Sequence, residues 1–217
     1  MSQESDRVPA TIACLETESM PFTLVSTAGF HCDVWRSIGV IVRGGERAPM
    51  DFVLKRYKRP CTLAEIRVLG KEYRTIKQAL EEIVPTARFV ATHVNYSPSV
   101  IVLAENCTPW FDLSNPGNED EALPLLSRKA RARAQLAEFV RHARRWMEED
   151  SRIIDLGGTE NLVLDKNYGV RYLDSFHVFF YLDMLHVIDE VDDALMFRIE
   201  ICIKRLEYLE RLVKRLE

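Results

Sequence analysis

One stretch of this chain, from Ile153 to Phe176 (IIDLGGTENLVLDKNYGVRYLDSF), limits what the rest can become. Two short apolar runs, Asn161 to Leu164 and Val170 to Leu173, flank a turn at Asn167-Tyr168-Gly169 and read as a hairpin. Asp155 follows a further apolar run, Gly157-Gly158 supplies a loop, Asn161 opens the hairpin and Asp174 closes it. A carboxylate at the end of a buried strand is costly unless something receives it. Three oxygen-bearing side chains at the ends of short strands can be aimed at one point. Two carboxylates and an amide suit a hard divalent ion such as magnesium, which takes few protein oxygens and completes its shell with phosphates and water.

The half of the chain before that stretch reads mainly as strands. Phe22 to Ser26, Val34 to Val42 and Phe52 to Tyr57 are β-rich, with a turn at Gly44-Gly45. Thr62 can cap a helix from about Leu63 to Glu82, in which Ile66, Leu69, Tyr73, Ile76 and Leu80 recur at helical spacing. Two more strands follow, Ala87 to Val94 and Ser99 to Glu105. Lys55 ends the apolar run Phe52-Val53-Leu54, where a buried ammonium needs a counter-charge. Glu72, seventeen residues later on the helix, offers one, and Glu65 on the same helix competes for the role.

Asp112 to Pro124, polar and with two prolines, reads as a loop. A helix from about Ser127 to Glu149 follows, with Leu136, Phe139, Val140, Ala143, Trp146 and Met147 on its apolar face. Its arginines read as a solvated face. The chain from about Phe179 to Glu217 reads as helical.

These parts, in this order, resemble the protein-kinase-like superfamily over about Phe22 to Phe180. Lys55 corresponds to the strand lysine that contacts phosphates and Glu72 to its helix glutamate. Asp155 and Asn161 resemble the catalytic-loop Asp and Asn, and Asp174 the metal-binding Asp. The resemblance implies a two-lobed α+β fold in one domain over residues 1–217. A β-rich N-lobe would span about 18–107, and a small helical C-lobe about 108–217. It implies ATP and Mg²⁺ as cofactors. Catalytic roles fall to Asp155, Lys55 and Glu72, nucleotide contacts to Lys55, Gly29, Glu105 and Cys107, and metal ligation to Asn161 and Asp174. The activity implied is transfer of the ATP γ-phosphoryl group to a hydroxyl, of a protein serine or threonine or of a small molecule.

The chain also departs from the family's pattern. Ile153-Ile154 replaces the usual His-Arg before the catalytic Asp, and the step from Asp155 to Asn161 is one residue longer than usual. The metal Asp is followed by Ser175-Phe176 without glycine, and Gly29 is all that stands for a glycine-rich loop. These departures support the alternative of a pseudokinase that binds nucleotide or a partner without transferring phosphate.

Composition narrows the remaining classes. A net charge of −4 and a pI near 5.8 give no general case for nucleic acid. No apolar run is long enough for a membrane span, and the polar N-terminus is not a signal peptide. Five scattered cysteines suggest a reducing, cytoplasmic setting, with a secreted effector as the other possibility. The five histidines show no metal-ligand spacing. Leu195, Ile199, Cys202, Leu206, Leu209, Val213 and Leu216 form a heptad seam, which fits packing inside the C-lobe or a partner helix or dimer.

Overall fold

The computed structural model describes residues 12, 22–27, 29–43, 45–185 and 193–217. The chain is mixed α+β, and contacts divide it into two compact units. One runs through Lys71 and adds Thr86–Asn106; the other comprises Glu72–Pro85 and Cys107–Glu217.

The first unit is built on a five-stranded antiparallel sheet in the order β1-β2-β3-β5-β4. Its strands are β1 (Thr23–Ser26), β2 (Cys32–Arg43), β3 (Glu46–Tyr57), β4 (Ala87–Val94) and β5 (Ser97–Glu105). The β2–β3 hairpin is longer than its apolar runs suggested: pairing is unbroken from Cys32↔Tyr57 to Arg43↔Glu46. Gly45 takes the turn at φ 87°, which favours glycine. Opposed residues share a face, so Trp35, Leu54 and Leu103 line up, and Ile101 joins them two residues along β5. With Ile12 and Phe22 this face makes the unit's core, and Phe22 meets Phe52 edge to face at 6.0 Å.

Helix α1 (Leu63–Leu80) starts at the expected cap. Thr62 N and Oγ1 both donate to the Glu65 carboxylate at 2.7 Å, and Glu65 N donates back to Thr62 Oγ1, forming a capping box. Leu69, Tyr73, Ile76 and Leu80 are buried along one stripe. Lys77 Nζ closes the C-terminal end on the carbonyls of Glu81 and Val84, beside a single 3₁₀ turn at Glu81–Ile83.

In the second unit β6 (Pro109–Asp112), β8 (Leu162–Asp165) and β9 (Val170–Tyr172) form one sheet, and β7 (Arg152–Ile154) pairs with β10 (Phe179–Tyr181). Helices α2 (Glu119–Ser127), α3 (Ala130–Asp150), α4 (Leu182–Leu185) and α5 (Asp193–Lys214) complete it. The Glu82 carboxylate accepts from Arg131 and Gln135, and Gln135 accepts from Val170 N, so α3 ties the 3₁₀ turn after α1 to β9.

Two sequence readings need correction. Asp112 to Pro124 is not all loop: Asp112 ends β6, and Glu119 starts α2, which holds Pro124 in its interior. Pro124 forfeits one helical hydrogen bond, and full burial of Ala122 and Leu126 on either side offsets it. Phe179 to Tyr181, read as helix, is the strand β10, because Phe179, Phe180 and Tyr181 find Ile154, Ile153 and Arg152 as partners. The middle of the heptad seam of α5 is taken up within the unit. Ile199, Cys202, Leu206 and Leu209 are buried, and Arg144 of α3 holds Glu210 through both Nε and Nη2. Among the described residues no helix is long and apolar enough to cross a membrane, and Cys32, Cys61, Cys107 and Cys202 are in no disulfide.

Candidate functional site

The hairpin of β8 and β9 brings three of the expected residues together. Leu162 pairs with Tyr172, which sets Asn161 and Leu173 side by side, and Leu173 N donates to the Asn161 carbonyl at 2.8 Å. The Asn161 side chain then bridges the cluster. Its Nδ2 donates to the Asp155 backbone carbonyl at 3.0 Å and lies 3.5 Å from Asp174 Oδ2. The amide nitrogen is thereby committed, and Oδ1 is left over. Oδ1 sits directly above Gly158, where a Cβ would come within 2.6 Å of it, so this loop position has no room for a side chain.

Asp174 is half-buried at the exit of β9. Its Oδ1 accepts the N–H groups of Ser175 at 2.7 Å and Phe176 at 3.4 Å, which fixes the carboxylate beside Asn161. Among the described residues, no three His, Cys, Asp or Glu side chains converge as a metal set. Asn161 and Asp174 are a smaller set, of the kind magnesium uses when phosphate and water supply the other oxygens.

Asp155 is in the cluster, but its carboxylate faces away from solvent. It has no exposed surface. Oδ2 receives Arg198 Nη2 at 2.5 Å, and Oδ1 receives Gly157 N at 2.8 Å and the Cys202 thiol at 3.6 Å. Burial first, and the Asp155 carboxylate beside it, push the Cys202 thiol up to about 12, so the sulfur stays protonated and can donate. The Tyr172 hydroxyl donates to the Asp155 carbonyl at 3.0 Å. A carboxylate enclosed in this way does not touch a substrate hydroxyl in this conformation.

Glu72, on the second-unit half of α1, is 8% exposed. The Tyr181 hydroxyl donates to its Oε1 at 2.8 Å, while its Oε2 is buried with no hydrogen-bond partner. Burial raises the Glu72 carboxyl above its usual range, although Tyr181 and the Arg152 charge pull it down. Burial and Glu72 together push Tyr181 up to about 12. The rival glutamate, Glu65, is exposed and engaged in the capping box.

Lys55 lies in the first unit on the sheet face opposite the core, facing Val34 on β2 and the fully buried Val102 on β5. Gly29 precedes β2, and the carbonyls of Thr27 and Gly29 accept from Lys58 Nζ at 2.9 and 2.6 Å. A Cβ on Gly29 would meet the Cys32 carbonyl at 2.6 Å, so the close approach of that carbonyl requires glycine here. Glu105 ends β5, exposed, with Thr86 N donating to it at 3.3 Å. It borders an open cavity of about 310 Å³ with Phe52, Arg88 and Leu103, residues whose face is opposite that of Lys55. Cys107 is half-buried at the start of the second unit's longer segment.

Sequence reading missed Arg198, Cys202, Arg205 and Tyr181. The first three stand at steps of four and three on α5, and that spacing was legible, but as an apolar seam through Cys202. Among protein-family models none matches this chain, and no curated protein matches it. The geometry itself defines an α+β protein in which a hairpin holds an Asn–Asp pair beside a glycine loop.

Proposed function

We propose that this chain binds ATP with magnesium through a kinase-like, two-lobed fold and transfers the γ-phosphoryl group to a hydroxyl of a protein serine or threonine. The observation that carries the reading is Asn161. Its amide nitrogen donates to the Asp155 carbonyl and lies 3.5 Å from Asp174 Oδ2, which holds the side chain beside Asp174 and leaves Oδ1, over Gly158, as the oxygen for a ligand role. Asn161 and Asp174 would hold the metal, which neutralises charge on the phosphates. Lys55 supplies a cation for those phosphates. Glu72 supports the reading through its buried, unpartnered oxygen, which is able to accept from an ammonium. Transfer then rests on positioning and on charge neutralisation more than on covalent chemistry by the protein.

A second reading, a pseudokinase that binds nucleotide without transferring phosphate, is favoured by one observation: the Asp155 carboxylate is enclosed by Arg198, Cys202 and Gly157. Thermal unfolding with and without ATP and magnesium, followed by transfer of labelled phosphate to the chain itself or to a mixed protein substrate, separates the two. Phosphotransfer by the wild type, lost in Asp174→Ala and Lys55→Met, is the result expected. Stabilisation by ATP without any transfer selects the pseudokinase. No effect of ATP on unfolding removes both.

A further inference from the structure

We infer that helix α5 is a clamp for the metal-binding loop and that Asp155 is a positioning residue, with Arg198 as its counter-ion, rather than the proton acceptor. The inference rests on the reading of Asn161 and Asp174 as the metal pair. Its basis is a row of three α5 side chains, Arg198, Cys202 and Arg205, one turn apart on one face of the helix. Each engages the same four-residue loop. Arg198 pairs with the Asp155 carboxylate, and its guanidinium lies 5.5 Å from the centre of the Phe180 ring, which packs it from the β10 side. Cys202 Sγ accepts Leu156 N at 3.3 Å and donates to Asp155 Oδ1. Arg205 Nη1 donates to the carbonyls of Leu156 and Gly158, the latter at 2.6 Å.

The clamp reaches the metal pair by two short routes. One runs from Arg198 through Asp155, whose own carbonyl receives the Asn161 amide. The other runs from Arg205 through Gly158, on which Asn161 Oδ1 rests. Gly157 makes the approach possible, because a Cβ there would fall 2.9 Å from Arg198 Cγ. A removable latch over a proton acceptor is a poorer description. Oδ1 of Asp155 is held by Gly157 N and Cys202 independently of Arg198, so loss of the arginine alone does not free the carboxylate.

The test measures Mn²⁺ binding to the full chain by electron paramagnetic resonance and amide exchange of Leu156 and Gly157 in the metal-free protein. Asp174→Asn, Arg198→Gln, Arg198→Lys and Arg205→Gln are compared with wild type. Groups that orient metal ligands change affinity by about 10–100-fold when removed. Arg198→Gln and Arg205→Gln are therefore expected to weaken Mn²⁺ binding to that extent and to speed exchange at both amides. Arg198→Lys should recover part of each. Asp174→Asn should abolish binding and leave exchange at Leu156 slow. Unchanged affinity and exchange in both Gln variants would overturn the clamp, and so would a gain of phosphotransfer in Arg198→Gln. If the wild type binds no Mn²⁺, the metal reading fails while the exchange data still decide the clamp. Arg205→Gln, which leaves no buried charge unpaired, keeps the test open if Arg198→Gln does not fold.

Discussion

Two carboxylates of the second unit are buried and are satisfied in opposite ways. Asp155 has a guanidinium, a backbone N–H and a thiol on its two oxygens. Glu72 has one tyrosine hydroxyl on Oε1 and nothing on Oε2. A buried charge without full compensation is expensive, so a half-filled carboxylate marks a place where the fold has left capacity for another donor. By that criterion Glu72 is open and Asp155 is closed. The difference separates two roles that the sequence had placed together as catalytic: one carboxylate is available to a cation, and the other holds a loop in shape.

The contrast breaks most easily at Arg198. Arg198→Met leaves the Asp155 charge buried and unpaired, and removing one partner of such a pair costs about 3–5 kcal/mol. Urea unfolding should show this as a lower midpoint with an unchanged slope. A loss below about 1 kcal/mol would mean that the carboxylate is less dependent on its arginine than its complete burial indicates. Tyr181→Phe should cost less, about 1–3 kcal/mol, because it deprives Glu72 of a single hydroxyl donor. If Tyr181→Phe proved the more damaging of the two, the assignment of closed and open carboxylates would be reversed.

The sequence revealed local geometry better than distant partnership. The strand–helix–strand order of the first unit, the Thr62 cap, the β8–β9 hairpin and the gathering of Asp155, Asn161 and Asp174 at its mouth all follow from patterns within a few dozen residues. Asp155 accepting the N–H of Gly157 belongs to the same class, a turn that aspartate favours. Asp165 does likewise with Asn167 and Gly169 and finds its arginine, Arg171, six residues on. Asp155 finds its arginine 43 residues on, across a helix that periodicity alone showed only as apolar. Nothing in the spacing of Asp155 says whether its side chain turns to solvent or to α5. Phe179-Phe180-Tyr181 failed to read as a strand for a related reason: three residues carry too little pattern to outweigh the helical sequence that follows.

The glycines sharpen the comparison on a smaller scale. Gly158→Ala would place a Cβ 2.6 Å from Asn161 Oδ1, a side-chain atom held by the amide's bond to Asp155. Gly169→Ala, in the hairpin turn, would meet Asp165 Oδ2 at 3.1 Å, and its backbone φ is not in the left-handed region. Overpacking costs about 1–3 kcal/mol, and Gly158→Ala should fall in that range with the metal-pair geometry disturbed. Gly169→Ala should lose less, and Mn²⁺ binding distinguishes the two because only the first moves a proposed ligand. Equal losses of metal affinity would remove Asn161 Oδ1 from the site.

The smallest effect is a pH dependence, and it is read at the open carboxylate. The folded state raises the Glu72 carboxyl above its ordinary value of 4.5, chiefly through burial. Between the unfolded and the folded value the native chain therefore holds more proton than the unfolded chain, so stability contributed by this group falls as pH rises through that window. Below the window the carboxyl is protonated in both states and the penalty is absent. Tyr181, held up to about 12, keeps its proton throughout and goes on donating. Glu72→Gln removes the titration and retains a side-chain oxygen for Tyr181, so the stability of the variant relative to wild type should increase with pH from about 4.5 upward and then level off. Unfolding midpoints measured in parallel from pH 4 to pH 8 would show it. A relative stability that decreases over that range would mean that the Glu72 anion is already compensated in the folded chain and that Oε2 is no spare acceptor for an ammonium.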